Sequence, residues 1–457
     1  MSELSPLPLT SDSEETSRLR LLVLSNGHGE DAIAARILQE LQQQSNPPEI
    51  FVLPLVGEGH AYQQLDIRLI GSVRTMPSGG FVYMDGRQFV RDVQGGLLQL
   101  TASQIKAVRH WVNTQTNLGN RKAILAVGDI IPLLFAWLSD ANYAFVGTAK
   151  SEYYVRDEVA LLKRKNRGAS WENFSGSIYH PWERWLMSRQ RCKAVFPRDS
   201  LTVEILKRWS TIPAFDLGNP MMDGLEPPIP RPRFYGADVE KQELARPLIV
   251  TILPGSRPPE AYANWHQIMI AVSAMMAVLK EQDFIGHTSG TVVFLGAIAP
   301  SLHLESIRQI LESQGWRPHA EPPIQIFDKK HLTYKQNNAY FILSQNAYND
   351  CLHLGDMAIA MAGTATEQFV GLGKPAITIP GSGPQFTYAF AEAQSRLLGK
   401  SVILVEEPVE VASAVRSLLT NPDTLQAIAE NGIRRMGKPG AAKRIAEYLM
   451  ELLWNEY

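Results

Sequence analysis

The sequence predicts an α/β protein of two domains, each a sheet of mainly parallel strands wrapped by helices. Short apolar runs that read as buried strands alternate with amphipathic helical stretches along most of the chain. Several of these strands end in small-residue turns that lead straight into a helix, as in a βαβ unit. A stretch with Pro227, Pro228, Pro230 and Pro232 interrupts the alternation and reads as a stiff linker. At 457 residues the chain is also too long for one ordinary core. The predicted divisions are a disordered tail over 1–17, a first domain over 18–226, a linker over 227–245, a second domain over 246–440, and a last helix over 441–457 that crosses back to the first domain.

In chain order, Leu19 to Leu24 is a strand and Asp31 to Leu41 a helix, joined by Ser25-Asn26-Gly27-His28-Gly29-Glu30. Two glycines in a strand-to-helix turn permit close backbone approach, although GxGxxG is not present. His28 lies where open α/β sheets place ligands, and it suits a hydrogen bond to a substrate phosphate, acid–base work or a local backbone partner. Ile50 to Leu55 is the second strand. In the segment Met76 to Leu100, Gly79-Gly80 and Gly95-Gly96 bracket Phe81, Val82, Tyr83 and Met84. It reads as an apolar flap for a lipid or membrane face, or equally as a buried helix. Ala123 to Val127 is a buried strand, followed by Gly128 and Asp129. An acid there can remove a proton from an acceptor hydroxyl, and can also N-cap the helix Ile130 to Leu138. Tyr143 to Val146 leads to Thr148, Lys150 and Ser151 at the same kind of strand end. Lys163, Arg164, Lys165, Arg167, Arg184, Arg189, Arg191 and Lys193 are interleaved with Trp171, Trp182 and Trp185. That mixture suits an anionic membrane surface or a solvated helical face. Ala194 to Phe196 is a short strand, and Arg198-Asp199 opens the helix Leu201 to Trp209. Gly218-Asn219-Pro220 is a turn before the linker.

The second domain begins near Arg246. Leu248 to Ile252 is a strand that runs into Leu253-Pro254-Gly255-Ser256-Arg257. Gly255 permits close approach, Ser256 can donate a hydrogen bond, and Arg257 presents a fork suited to phosphate. Helix Trp265 to Leu279 and strand Val292 to Leu295 follow. Pro300 to Asp350 reads as a helix and two short strands. Met357 to Met361 is a strand, Ala362-Gly363-Thr364-Ala365 a turn without bulk, Thr366 to Gly371 a helix, and Pro375 to Ile379 a strand. The helix-opening N–H groups of that turn favour an anion, and Glu367 on the first helical turn suits a ribose diol or simply the helix dipole. Val402 to Val405 is a strand, and helices Pro408 to Leu419, Asp423 to Asn431 and Ala441 to Trp454 complete the chain.

Composition is that of a globular protein, 45% hydrophobic and 20% charged. A net charge of −2 gives no support for nucleic-acid binding. Cys192 and Cys351, far apart, form neither a disulfide framework nor a metal spacing. The polar, acidic N-terminus lacks the features of a secretory signal. The longest apolar run, Ile268 to Leu279, is about 12 residues, against about 20 for a membrane span. The expected location is the cytoplasm, with a peripheral contact on the inner face of a membrane.

The order LPGSR, then GTATEQ and GKP, with a GNP turn before the linker, resembles lipid A disaccharide synthase and its relatives. These are GT-B glycosyltransferases, two Rossmann-like domains facing each other across a cleft. The likeness runs from about Leu19 to about Leu419 and is densest in the second half. It implies a UDP-sugar donor, with no other cofactor and no metal. Gly255, Ser256 and Arg257 would contact the diphosphate, with Gly363, Thr364 and Ala365 beside it and Glu367 on the ribose. Gln385 and Gln394 would meet the sugar hydroxyls. Asp129 resembles the family's candidate base, with His28 a second catalytic candidate in a loop more like that of peptidoglycan and galactolipid glycosyltransferases. Asn26, Gly27, Gly29, Glu30 and Lys150 would lie on the acceptor side. The Pro-rich linker, Met76 to Leu100 and Pro300 to Asp350 depart from the family pattern, so the donor site is the firmer inheritance and the acceptor the weaker. The expected activity is inverting, metal-independent sugar transfer to a lipid-linked or phosphorylated acceptor. Two rivals are a non-hydrolysing UDP-sugar epimerase and a non-catalytic UDP-sugar-binding protein.

Overall fold

The alternating runs close into two mainly parallel sheets in a computed structural model, which describes residues 19–73, 97–114, 121–162, 174–227, 246–279 and 290–455. The tail, the glycine-bracketed segment Phe81 to Met84, the basic run Lys163 to Arg167 and nearly all of the linker lie outside the described residues. The chain divides into two compact units. One comprises Met1–Val146, Arg189–Ala194 and Ala446–Tyr457; the other comprises Gly147–Ser188 and Val195–Ile445.

The first sheet has six strands: β1 (Arg20–Ser25), β2 (Glu49–Pro54), β3 (Arg68–Leu69), β4 (Lys122–Gly128), β5 (Asn142–Gly147) and β6 (Cys192–Pro197). Their order is β3-β2-β1-β4-β5-β6, the doubly wound arrangement of a Rossmann domain. Strands β1 and β4 are buried at all but their first residue, as expected for a sheet covered on both faces. The helix after β1 spans His28–Gln42 and so starts three residues before the expected Asp31. Gly27 is its N-cap at φ 123, and the Asp31 N–H bonds the Gly27 carbonyl at 2.7 Å. A backbone that only glycine adopts easily lets the helix begin inside the loop.

The second sheet has eight strands: β7 (Leu248–Leu253), β8 (Val292–Ala297), β9 (Arg317–Pro318), β10 (Leu332–Gln336), β11 (Ala339–Ser344), β12 (Met357–Ala360), β13 (Ala376–Thr378) and β14 (Val402–Leu404). Their order is β14-β13-β12-β7-β8-β11-β10-β9. Only β10 pairs antiparallel, with β9 and β11. The region Pro300 to Asp350 therefore holds three strands, not two. The extra one, β9, is a two-residue exposed edge with no apolar run to reveal it. Helix Glu260–Leu279 opens five residues before the expected Trp265, directly after Pro258-Pro259, and Pro is favoured at helix starts. Phe341 centres the core. Its ring stacks on Phe294 at 5.6 Å, and Trp265 and Trp316 meet it edge-on, each at 5.4 Å.

Helix Thr364–Gly371 packs on helix Pro422–Met436 through glycine. A Cβ on Gly432 would stand 2.2 Å from the Val370 carbonyl oxygen. Helix propensity favours Ala over Gly by up to about 1 kcal/mol, yet backbone cannot yield to so close an approach. Gly432→Ala should therefore destabilise the protein by about 1–3 kcal/mol, read as a lower Tm. Gly29→Ala, where a Cβ would have nothing within 4 Å, should leave Tm unchanged or slightly raised. Equal Tm values for the two variants would contradict this packing.

Candidate functional site

Two adjacent parallel strands of the second sheet, β7 and β12, send the chain in opposite directions. Leu253 registers with Ala360; the chain then passes from β7 to β8 on one side and from β12 to β13 on the other. Such a switch point opens a crevice at the carboxyl ends of the strands. The two segments expected to hold diphosphate, Gly255-Ser256-Arg257 and Gly363-Thr364-Ala365, leave these two strands; Thr364 and Ala365, expected in a turn, are already the first residues of helix Thr364–Gly371, because Gly363 serves as its N-cap.

The turns are tied together by buried amides. Asn264, on helix Glu260–Leu279, donates Nδ2 to the Pro254 carbonyl at 3.1 Å and to the Met361 carbonyl at 3.3 Å. Gly255 sits at φ +93, and a Cβ there would stand 3.2 Å from that Met361 oxygen. Glycine is thus required both for the backbone angle and for the room. Gln394, on helix Tyr388–Leu398, donates Nε2 to the Gly363 carbonyl at 3.0 Å and to the Ala362 carbonyl at 3.2 Å. Its amide nitrogen therefore holds the second turn, leaving Oε1 as the group with spare hydrogen-bonding capacity. Gln385 contributes its backbone N–H to Glu260 Oε1 at 3.1 Å, beside Phe386 N–H at 2.6 Å. One buried carboxylate thereby anchors the loop after β13 to the start of helix Glu260–Leu279.

This arrangement favours an anion. Gly363 gives helix Thr364–Gly371 no side-chain cap, so a ligand oxygen can take that place. Thr364 is exposed, and Gly363, Ala365 and Arg257 are half-buried. Burial lowers the Arg257 pKa and Glu260 opposes that fall. Ser256 is exposed, and its carbonyl accepts from Ser301 Oγ at 2.6 Å. Glu367 is buried, and its Oε2 accepts from Arg198 Nη2.

The first sheet repeats the logic between β1 and β4, where Ser25 registers with Val127. Asn26 follows one strand and Asp129 the other; Asn26 Nδ2 donates to Asp129 Oδ2 at 3.0 Å. Asp129 Oδ1 accepts from Ile131 N–H at 2.8 Å and caps helix Ile130–Leu138. Gly128, at φ +134, brings Glu30 close: a Cβ would stand 3.2 Å from its Cγ. Gly27 and the exposed Gly29 flank His28, the first residue of its helix, whose side chain lies outside the described residues. Beneath them Tyr62 donates to Ser25 Oγ at 2.6 Å, and Ser25 donates to Asp31 Oδ1 at 2.5 Å. Burial, then Asp31, pushes the Tyr62 pKa far above its usual value.

Lys150 belongs to the other unit and is engaged by a buried acid. Its Nζ donates to Glu183 Oε2 at 2.6 Å, the same oxygen that accepts the His180 N–H at 2.8 Å. Cys192 and Cys351 are free and buried, and burial pushes both thiols up to about 12, away from nucleophilic chemistry. Sequence patterning did not single out Asn264, Glu260 or Arg198 as site residues. Asn264 is a lone amide in an apolar helix, Glu260 an ordinary first-turn acid, and Arg198 a cation after a short strand.

No protein-family model matches the chain, and no curated protein matches it by sequence. Solved structures do match along nearly the whole length. A Listeria monocytogenes protein assigned as a UDP-N-acetylglucosamine 2-epimerase aligns with a TM-score of 0.53 at 12% identity, covering 96% of this chain and 98% of its own. MurG of Acinetobacter baumannii aligns with a TM-score of 0.51 at 12% identity, covering 95% and 99%. The calicheamicin glycosyltransferase CalG4 aligns with a TM-score of 0.54 at 13% identity, covering 96% and 99%. With two Rossmann-like α/β domains of mainly parallel strands, the chain has the GT-B fold.

Proposed function

We propose that this protein is a glycosyltransferase that moves a sugar from a UDP-sugar to a lipid-linked or phosphorylated acceptor, akin to lipid A disaccharide synthase. The observation that carries the donor reading is the pairing of the Gly255 and Gly363 turns at one switch point, with Asn264 bonded to both strand exits. In this reading Gly255, Ser256 and Arg257 hold the diphosphate with Gly363, Thr364 and Ala365, Glu367 takes the ribose, and Gln385 and Gln394 meet the sugar. The acceptor oxygen attacks the anomeric carbon, its proton passes to Asp129, and the bond from carbon to the diphosphate oxygen breaks with inversion. Arg257 and the helix N-terminus stabilise charge on the departing UDP, the work a metal cation would otherwise do. His28, Asn26, Gly27, Gly29, Glu30 and Lys150 remain acceptor-side candidates. The membrane-facing part of the proposal draws on Trp182 and Trp185, 50% and 44% exposed on helix Pro181–Met187 beside Arg184. Among the described residues no helix is long and apolar enough to cross a membrane.

A UDP-sugar epimerase is the second reading, favoured by the UDP-N-acetylglucosamine 2-epimerases among the similar structures. It needs no acceptor.

UDP at one hundred times its Kd should stabilise the protein by about 2.7 kcal/mol, whereas NAD should leave the melting curve unmoved. A shift with NAD and none with UDP or any UDP-sugar would sink the donor assignment. Asp129→Asn keeps a helix-capping side chain and should retain UDP binding while transfer falls by about 10²–10⁴-fold. Wild-type turnover in that variant would remove Asp129 from the mechanism. Conversion of UDP-GlcNAc with no acceptor present would favour the epimerase.

A further inference from the structure

We infer that Arg198 is a positioning residue for nucleotide recognition: it holds one oxygen of Glu367 so that the other can receive the ribose hydroxyls, and it cancels the acid's charge beside an anionic ligand. The inference rests on the donor reading above and deepens it. Arg198 follows β6 and is 5% exposed; Glu367 is 8% exposed on the first turn of helix Thr364–Gly371. The two lie 169 positions apart in sequence. Arg198 Nη1 donates to the Thr148 carbonyl at 3.2 Å, and Nη2 reaches both Glu367 Oε2 and Met436 Sδ, the latter at 3.8 Å. The guanidinium is thus held by groups on three segments and cannot follow Glu367 freely.

Two physical points give the pair a role beyond packing. A buried ion pair loses in desolvation much of what it gains in attraction, so it is a poor device for stability alone. An acid three residues into a helix also works against an anion held at that helix N-terminus. A fixed cation on one carboxylate oxygen removes the conflict and leaves the second oxygen as an acceptor. Among the described residues that second oxygen, Oε1, takes no hydrogen bond. Burial opposes the charge on Arg198, but Glu367 and Tyr154 hold its pKa above the ordinary value. The Tyr154 hydroxyl is in turn pushed up to about 12, by burial first and Glu367 next.

The test compares UDP with 2′-deoxy-UDP by titration calorimetry on the full chain. Both carry the same diphosphate, so their ratio isolates the ribose contact. Wild type should prefer UDP by about tenfold or more, the size of a lost hydrogen bond to a charged group. Arg198→Lys and Arg198→Gln should bring the ratio within about twofold of unity, chiefly by weakening UDP. A folded variant of either kind that keeps the wild-type ratio would overturn the inference, as would wild type binding both ligands equally. If neither Arg198 variant folds, Glu367→Gln must show the same collapse, and an unchanged ratio there would overturn it. Wild type that binds neither ligand would instead bring down the donor reading itself.

Discussion

Strands β7 and β12 lie side by side in the second sheet, and the connections that follow them run to opposite sides. No crossover therefore covers the space between their ends. A switch point alone does not make a binding site, because the turns that leave it must be held at a fixed spacing. Asn264 supplies that hold by bonding the carbonyl before one turn and the carbonyl after the other strand. Gly255 then has to be glycine, since any side chain would press on the Met361 carbonyl. One buried amide and one missing side chain thus fix the spacing of the two strand exits.

The same topology at the first sheet gives a different chemistry. There the residues at the switch are Asn26 and Asp129, hydrogen-bonded to each other, and the aspartate also caps its helix. A carboxylate with a fixed orientation is suited to accept a proton, as a pair of helix-opening turns is suited to accept an anion. Two equivalent places in the topology thus carry different groups, an Asn–Asp pair in one unit and glycine-led segments in the other.

Much of this was legible in the residue order. The buried strands announce themselves as apolar runs, and Gly255, Gly363 and Asp129 stand at strand ends where ligands collect. Local rules reach no further than the local chain. They placed Glu367 on a helix's first turn but not its partner Arg198, which arrives from another strand. Nothing local to Lys150 announces Glu183, the buried acid that pairs with it and also caps a helix. Helix starts at His28 and Glu260 were missed because Gly27 and Pro258-Pro259 admit a helix where apolar periodicity has not yet begun. Strand β9 is two exposed residues and carries no pattern at all.

The Gly255 turn and the Gly363-led helix start are proposed to hold one anion together. Amide hydrogen exchange with and without UDP reads this directly, residue by residue. Exchange should slow on UDP addition at both Gly255–Arg257 and Gly363–Glu367, in step with each other as UDP is titrated. Protection of one segment without the other, or protection centred on Asn26–Glu30 instead, would contradict the proposal.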